Sequence, residues 1–472
     1  MVRSAWRLAA LAPGVAVAQQ AGTVVQEASP EMSLSYCTNK GGCKSEPAAV
    51  TLDANWRWVH DAAGYESCLS EGRWSPQFCP DGAACAKACA VEGVDAEGYS
   101  TVYGVKAIPT GLEMEFVSDA GAVGSRVYLT DGADKYKMFK LKNREFSFEV
   151  DVSTLPCGMN GALYFIEMDE LGGKGKGNND AGAKFGTGYC DAQCPHDIHW
   201  MHGVANTDGG KGICCFEMDI WEANRMATAF TPHPCAVDGP YVCEGTACGD
   251  GDAGERYMGV CDKDGCDFNT YRMGAQSYYG EGSNFEVDTS KPMTVVTQFI
   301  THNGTDEGDL FEIRRFYVQE GKTIAHANST VLGASGNSIT DAFCTAQKSA
   351  FGDPDDHLAK GGVKRMGEAL DRGMVLALSI WADSGTEMRW LDSQFPQGES
   401  LSRPGVLRGP CDGTTSHPTY LVAQHSDASV KYMNIRYGEI GSTTSQETAS
   451  TTSADMASTT SPESRRLGDV LV

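Results

Sequence analysis

Eighteen cysteines constrain this chain more than any other feature. The number is even, and in an oxidising compartment such a set closes into disulfides, here nine of them. Metal ligation is the rival reading, because Cys190 and Cys194 with the adjacent Cys214-Cys215 superficially resemble a zinc set. No CxxC pair faces another at zinc spacing, however. The N-terminus names the compartment. Arg3 and Arg7 supply a positive region, Leu8 to Val17 a short apolar run, and Ala16-Val17-Ala18 a small-residue cleavage site. That pattern reads as a signal peptide over residues 1–18. Pro13 and the shortness of the run exclude a membrane span, and no later stretch is apolar enough for one. A secreted, extracellular, disulfide-stapled monomer is expected, with no membrane partner.

Period-two alternation sets the fold class. Phe146, Phe148, Val150 and Val152 alternate with Ser147, Glu149 and Asp151. Leu112, Met114 and Phe116 alternate with glutamates, and 294–300, 313–318 and 374–381 also read as strands. Helices are expected only near 82–89, 341–350 and 362–371. Many short strands joined by long Gly-rich loops predict an all-β sandwich in one domain, residues 19–441. From Ser442 to Ser464 the chain turns Ser/Thr-rich without Cys or aromatics, so 442–472 is expected to be a disordered, stalk-like tail with no room for a carbohydrate-binding module. Asn303-Gly304-Thr305 and Asn328-Ser329-Thr330 are N-glycosylation acceptors. A net charge of −24 excludes nucleic acid as a partner, since phosphate needs Lys and Arg. Solubility or adaptation to saline surroundings would each account for it.

The densest chemistry lies in Cys214-Cys215-Phe216-Glu217-Met218-Asp219-Ile220-Trp221-Glu222-Ala223-Asn224. On a strand Glu217 and Asp219 share one face and Met218 and Ile220 take the other. Glu222, five positions from Glu217, falls on the wrong face unless a β-bulge between Asp219 and Glu222 turns it back. A helix does worse, because an offset of five lies off the i, i+4 face. Three carboxylates on one face repel, so at least one should keep a proton near neutral pH. Glycoside hydrolysis uses that pattern: one carboxylate attacks the anomeric carbon and another protonates the leaving oxygen, about 5–5.5 Å apart in retaining enzymes. An acidic surface strand or a calcium site remains the alternative from pattern alone.

The undecapeptide resembles the active-site strand of glycoside hydrolase family 7, the cellobiohydrolases and endoglucanases. The likeness spans roughly residues 19–441. It includes Asp53-Ala54-Asn55-Trp56-Arg57-Trp58, the run from Leu155 to Phe165, Gly186-Thr187-Gly188-Tyr189-Cys190-Asp191, Thr231-Pro232-His233-Pro234-Cys235 and Trp390-Leu391-Asp392-Ser393. The resemblance implies a concanavalin-like β-jelly-roll sandwich with long loops partly roofing a substrate cleft. It implies a retaining double displacement with Glu217 as nucleophile, Glu222 as acid/base and Asp219 assisting, and no cofactor or metal. His233 would lie near the acid/base, and Tyr164 and Asn160 near the nucleophile. Trp56, Trp58, Trp381 and Trp390 would stack on sugar faces, with Trp56 and Trp58 on one side and Arg57 on the other. Arg256, Asp264, Arg272 and Arg408 would bind sugar hydroxyls on the product side, and Arg126, Asp191 and Gln193 would line the cleft further. Trp221 alternates away from the acids and is expected in the core.

The family pattern also implies the disulfides Cys37–Cys43, Cys68–Cys89, Cys79–Cys85, Cys157–Cys411, Cys190–Cys215, Cys194–Cys214, Cys235–Cys261, Cys243–Cys248 and Cys266–Cys344. The long segments 61–68 and 243–266 favour release of cellobiose from chain ends of cellulose. A short 204–213 segment, with Asp252 and Ser384-Gly385 at two loop tips, favours a more open roof and some internal attack. An endo-β-1,4-glucanase is the alternative within enzymes. A non-catalytic, lectin-like glucan binder is the alternative outside them.

Overall fold

The computed structural model describes residues 19–176, 179–251, 255–331 and 333–444. The expected signal peptide, Asp252 and the tail from residue 445 lie outside the described residues. Ser442 and Thr443 are buried, and Thr443 donates its amide to Glu145 Oε1 at 3.0 Å. The described fold therefore runs past the expected boundary at 441, because Thr443 completes the hydrogen bonds of the buried Glu145 while Ser442 donates to the carbonyl of Glu439.

One large sheet dominates. Its strands are β1 (Glu31–Thr38), β2 (Gly42–Leu52), β3 (Gly111–Glu115), β4 (Ser125–Thr130), β5 (Glu145–Asp151), β6 (Met159–Ile166), β7 (Glu217–Ala223), β8 (Thr228–His233), β9 (Met293–Thr301), β10 (Leu310–Gln319), β11 (Lys322–Ala325), β12 (Met374–Ala382) and β13 (Ser429–Gly438). The main row runs β8-β7-β6-β12-β4-β2-β1-β13-β5-β9-β10-β11, with β3 against β13. The row folds back on itself into two layers. Trp221 of β7 meets Tyr317 of β10 at 6.3 Å between ring centroids, and Phe165 of β6 meets Phe146 of β5 at 5.0 Å. Tyr432 of β13 donates across the layers to the carbonyl of Ala162 at 3.0 Å.

Alternation explains which residues enter the gap. Leu163, Phe165, Met218, Ile220, Leu376 and Leu378 from one layer pack with Phe148, Val295, Ile313 and Tyr317 from the other. Each fully buried large side chain contributes about 1.5–3 kcal/mol. Trp221 joins this core, as expected. The three anticipated helices form as α1 (Gly82–Ala88), α2 (Asp341–Phe351) and α3 (Gly362–Arg372). The short helix Pro418–Gln424 was not anticipated from sequence; Pro at its first turn favours helix there, but only seven residues carry the pattern. All nine disulfides pair as the resemblance implied. No helix among the described residues is long and apolar enough to cross a membrane.

Candidate active site

The other face of β6, β7 and β12 floors a cavity of about 1000 Å³. Register shows how the acids reach it. Ile166, Tyr164 and Ala162 of β6 share one face, and they stand opposite Glu217, Asp219 and Glu222 of β7. A bulge between Asp219 and Glu222 makes this possible: β8 spends two steps, Thr231 to Ala229, where β7 spends three. Ile220 is the residue left without a register partner on either neighbour. Strict alternation would have buried Glu222 in the core; the bulge returns it to the cavity.

Each carboxylate has distinct partners. Glu217 Oε2 accepts the amide of Ala192 at 3.0 Å. That amide lies in the loop that Cys190–Cys215 and Cys194–Cys214 tie to the residues just before β7. The paired cysteines thus set a hydrogen-bond donor on Glu217 as well as stiffening the strand. Asp219 shares a hydrogen bond with Glu217 and faces His233 Nε2 at 3.0 Å. His233 Nδ1 lies 2.8 Å from the carbonyl of Asp262, which can only accept, so Nδ1 carries a proton. Glu222 Oε1 accepts from Asn160 Nδ2 at 2.9 Å, while Asn160 Oδ1 accepts the amide of Ala223 at 3.0 Å.

Burial and mutual repulsion shift all three acids upward. Burial first, then Asp219 and Asp191, raises Glu217 well above the carboxylate range; burial and Asp219 do the same for Glu222. Burial and Asp191 raise Asp219. A hydrogen bond between two carboxylates needs one proton, and holding it on Asp219 leaves Glu217 the anion. One ligand atom each from Glu217, Asp219 and His233 lie within 4.8 Å of one another, so these three are the residues that could hold a cation here.

Most of the sequence-predicted binding residues converge on the same cavity. Trp56, Trp381 and Trp390 line it, with Trp381 and Trp390 stacked at 6.2 Å. Arg126 lines it beside Trp56, its guanidinium 3.3 Å over the Tyr189 ring and paired to Asp53 at 2.6 Å. Tyr164, Asp191, Gln193 and His233 also line it. So do Arg256, Asp264, Arg272 and Arg408, on the side where the chain continues from β8. Arg256 Nε donates to Asp264 Oδ1 at 2.7 Å, and Arg272 pairs with Asp267.

Two expectations need correction. Trp58 does not line the cavity: its ring stacks on His60 at 4.2 Å and its indole N–H donates to Ser67. The shared-face argument assumed a strand, whereas Ala54–Trp56 is a 3-10 turn capped by Asp53. Asn160 does not touch the cavity and sits on Glu222, not near Glu217, because its side chain bridges β6 to the end of the bulge. His233 hydrogen-bonds Asp219, standing opposite Glu217 in the β7–β8 register, and lies close enough to Glu222 for its charge to act there. Sequence reasoning missed Asp267, Lys348, Asp353 and Tyr189, which also line the cavity. Asp267 follows Cys266 directly, a usable signal; a lysine in the last turn of α2 looks like any solvated one.

The glycosyl hydrolase family 7 model matches residues 21–444. The chain belongs to glycosyl hydrolase family 7. Among solved structures, this family 7 chain is similar to a cellobiohydrolase from Daphnia pulex at 47% identity and TM-score 0.88, covering 90% of this chain and 100% of that one. It is similar to a cellobiohydrolase from Melanocarpus albomyces complexed with cellotetraose at 38% identity and TM-score 0.83, covering 89% and 99%. It is also similar to the Humicola insolens endocellulase EGI at 41% identity and TM-score 0.78, covering 90% and 100%.

Proposed function

We propose that Glu217 and Glu222 carry a retaining double displacement on β-1,4-glucosidic bonds. The chain is a glycoside hydrolase of family 7 that acts on cellulose. Glu217 attacks the anomeric carbon as an anion, a state that requires the proton of the pair to sit on Asp219, and the Ala192 amide donates to its Oε2. Glu222, held protonated by burial, gives its proton to the leaving oxygen and then removes one from the water that hydrolyses the glycosyl-enzyme. The bulged register, which turns Glu217, Asp219 and Glu222 onto one cavity face, carries this reading. In Glu217→Gln, turnover of an aryl β-lactoside is expected to fall by roughly 10⁴-fold or more while cellulose binding persists. An active Glu217→Gln protein would show the nucleophile to be another residue.

Cleavage from chain ends with some internal attack fits best. The long 243–266 segment and the arginines Arg256, Arg272 and Arg408 favour holding a cellobiose product, and the Daphnia pulex neighbour is a cellobiohydrolase. Val204–Ala205 makes only a short hairpin with Trp200–Met201, and no residue from 199 to 213 lines the cleft, which fits a more open roof. Cellobiose should dominate the products on cellulose. Rapid loss of carboxymethylcellulose viscosity with little cellobiose would favour the endoglucanase alternative. The disulfides fit a secreted protein. Asn303 and Asn328 are exposed and are proposed to carry glycans, checked by a mass shift on deglycosylation.

A further inference from the structure

The bulge that makes the site is itself held by something. Arg315 of β10 lies in the opposite layer and is only 2% exposed. Its Nη2 crosses the core and donates to the carbonyl of Ile220, the residue that the bulge leaves without a register partner. Its Nε donates to Thr297 Oγ1 at 3.1 Å, from the position directly opposite on β9. Its guanidinium lies 4.3 Å over the ring of Phe230, and Phe230 is the one β8 residue facing the two-residue step of β7. Among the described residues Arg315 makes no ion pair. A charge buried in an apolar core without a carboxylate is costly, and an apolar side chain of similar size would usually be the more stable occupant. Three of its contacts serve one place: Ile220, its neighbouring strand at Phe230, and the β9 residue that aims the guanidinium there; a fourth, to Tyr317, stays within β10.

We propose that Arg315 is a positioning residue of the reaction, holding the Ile220 carbonyl so that the bulge keeps Glu222 turned into the cleft. The proposal rests on the reading of Glu222 as proton donor. Glu222 lies beyond the bulge, whereas Glu217 lies before it and is fixed by the Ala192 amide and two disulfides. Losing Arg315 should therefore misplace the donor and spare the nucleophile.

The test compares a phenyl β-lactoside, whose leaving group needs a proton, with a dinitrophenyl β-lactoside, whose leaving group does not. The ratio of kcat/KM for the two substrates cancels the amount of folded enzyme, so a merely structural role cannot move it. In Arg315→Met the phenyl substrate should lose at least about tenfold more than the dinitrophenyl substrate. Arg315→Lys keeps the charge but cannot bridge Thr297 and Ile220 together, and should shift the ratio the same way by less. It decides alone if the Met protein does not fold. A wild-type ratio in Arg315→Lys, or in both variants, overturns the proposal. Glu222→Gln is the control: an unshifted ratio there means that the proton donor itself is misassigned, a failure distinct from that of Arg315.

Discussion

Two sets of buried acids share this cleft and titrate in opposite directions. On β7 and its flanking loop, burial and like charges raise Glu217, Asp219, Glu222 and Asp191. On the side beyond β8, burial pushes Asp264 and Asp267 upward too, yet cations more than offset it. Arg256 and Lys348 hold Asp264 below the usual range, and Arg272, Arg408 and Lys348 do so for Asp267. Desolvation is common to both sets; it wins on β7 and its loop, where Arg126 only partly offsets it at Asp191, and loses beyond β8, where arginine and lysine outweigh it. One half of the cleft thereby holds carboxyls that keep their protons to higher pH, the other carboxyls kept as fixed negative charges.

The sharpest test of the proton-carrying half is Glu222→Gln. Turnover of an unactivated glucoside should fall on the order of 10²–10⁴-fold, and the alkaline limb of the pH–rate profile should disappear. Arg272→Met attacks the contrast from the other side by leaving Asp267 buried beside fewer cations. Unfolding free energy at neutral pH should drop by about 3 kcal/mol, read from denaturant melts. The sign of the pH dependence should also turn. Asp267 with its depressed pKa contributes stability above the ordinary carboxylate value, which is lost as pH falls. Raised, it would stabilise only at acid pH and lose that as pH rises. Asp219→Asn removes the carboxyl that shares a hydrogen bond with Glu217, and kcat on an aryl lactoside should fall by about 10²-fold from misplacement of Glu217. The smallest effect belongs to Trp56→Ala, an uncharged side chain that touches Arg126 and none of these acids directly. Binding of a long cello-oligosaccharide should weaken by about 1 kcal/mol, with aryl lactoside turnover unchanged.

Much of this was legible in the residues. Alternation at 146–152 marked a strand through its period-two trace, and 374–381 read as one from a continuous apolar run, which the sheet buries on both faces. The spacing Glu217-x-Asp219-x-x-Glu222 demanded a bulge, and one is present. Trp58 was misplaced because the same alternation also occurs in a capped turn, where it carries no facing information. Asn160 was assigned to the wrong glutamate because its partner is set by strand order: β6 lies between β7 and β12, a neighbourhood no local pattern encodes.

By itself the sequence determined the strand-rich class, the disulfide-stapled character and the identity of the three clustered acids. These depend on local periodicity, composition and residue type. Only the tertiary structure decided which acids hold protons and what keeps the bulge in place. A carboxylate's proton affinity depends on the charges and burial that distant segments bring to it, as Arg272 and Lys348 do for Asp267. Arg315 stands 95 residues from the carbonyl it holds, and only the folding of one sheet back onto itself brings them together.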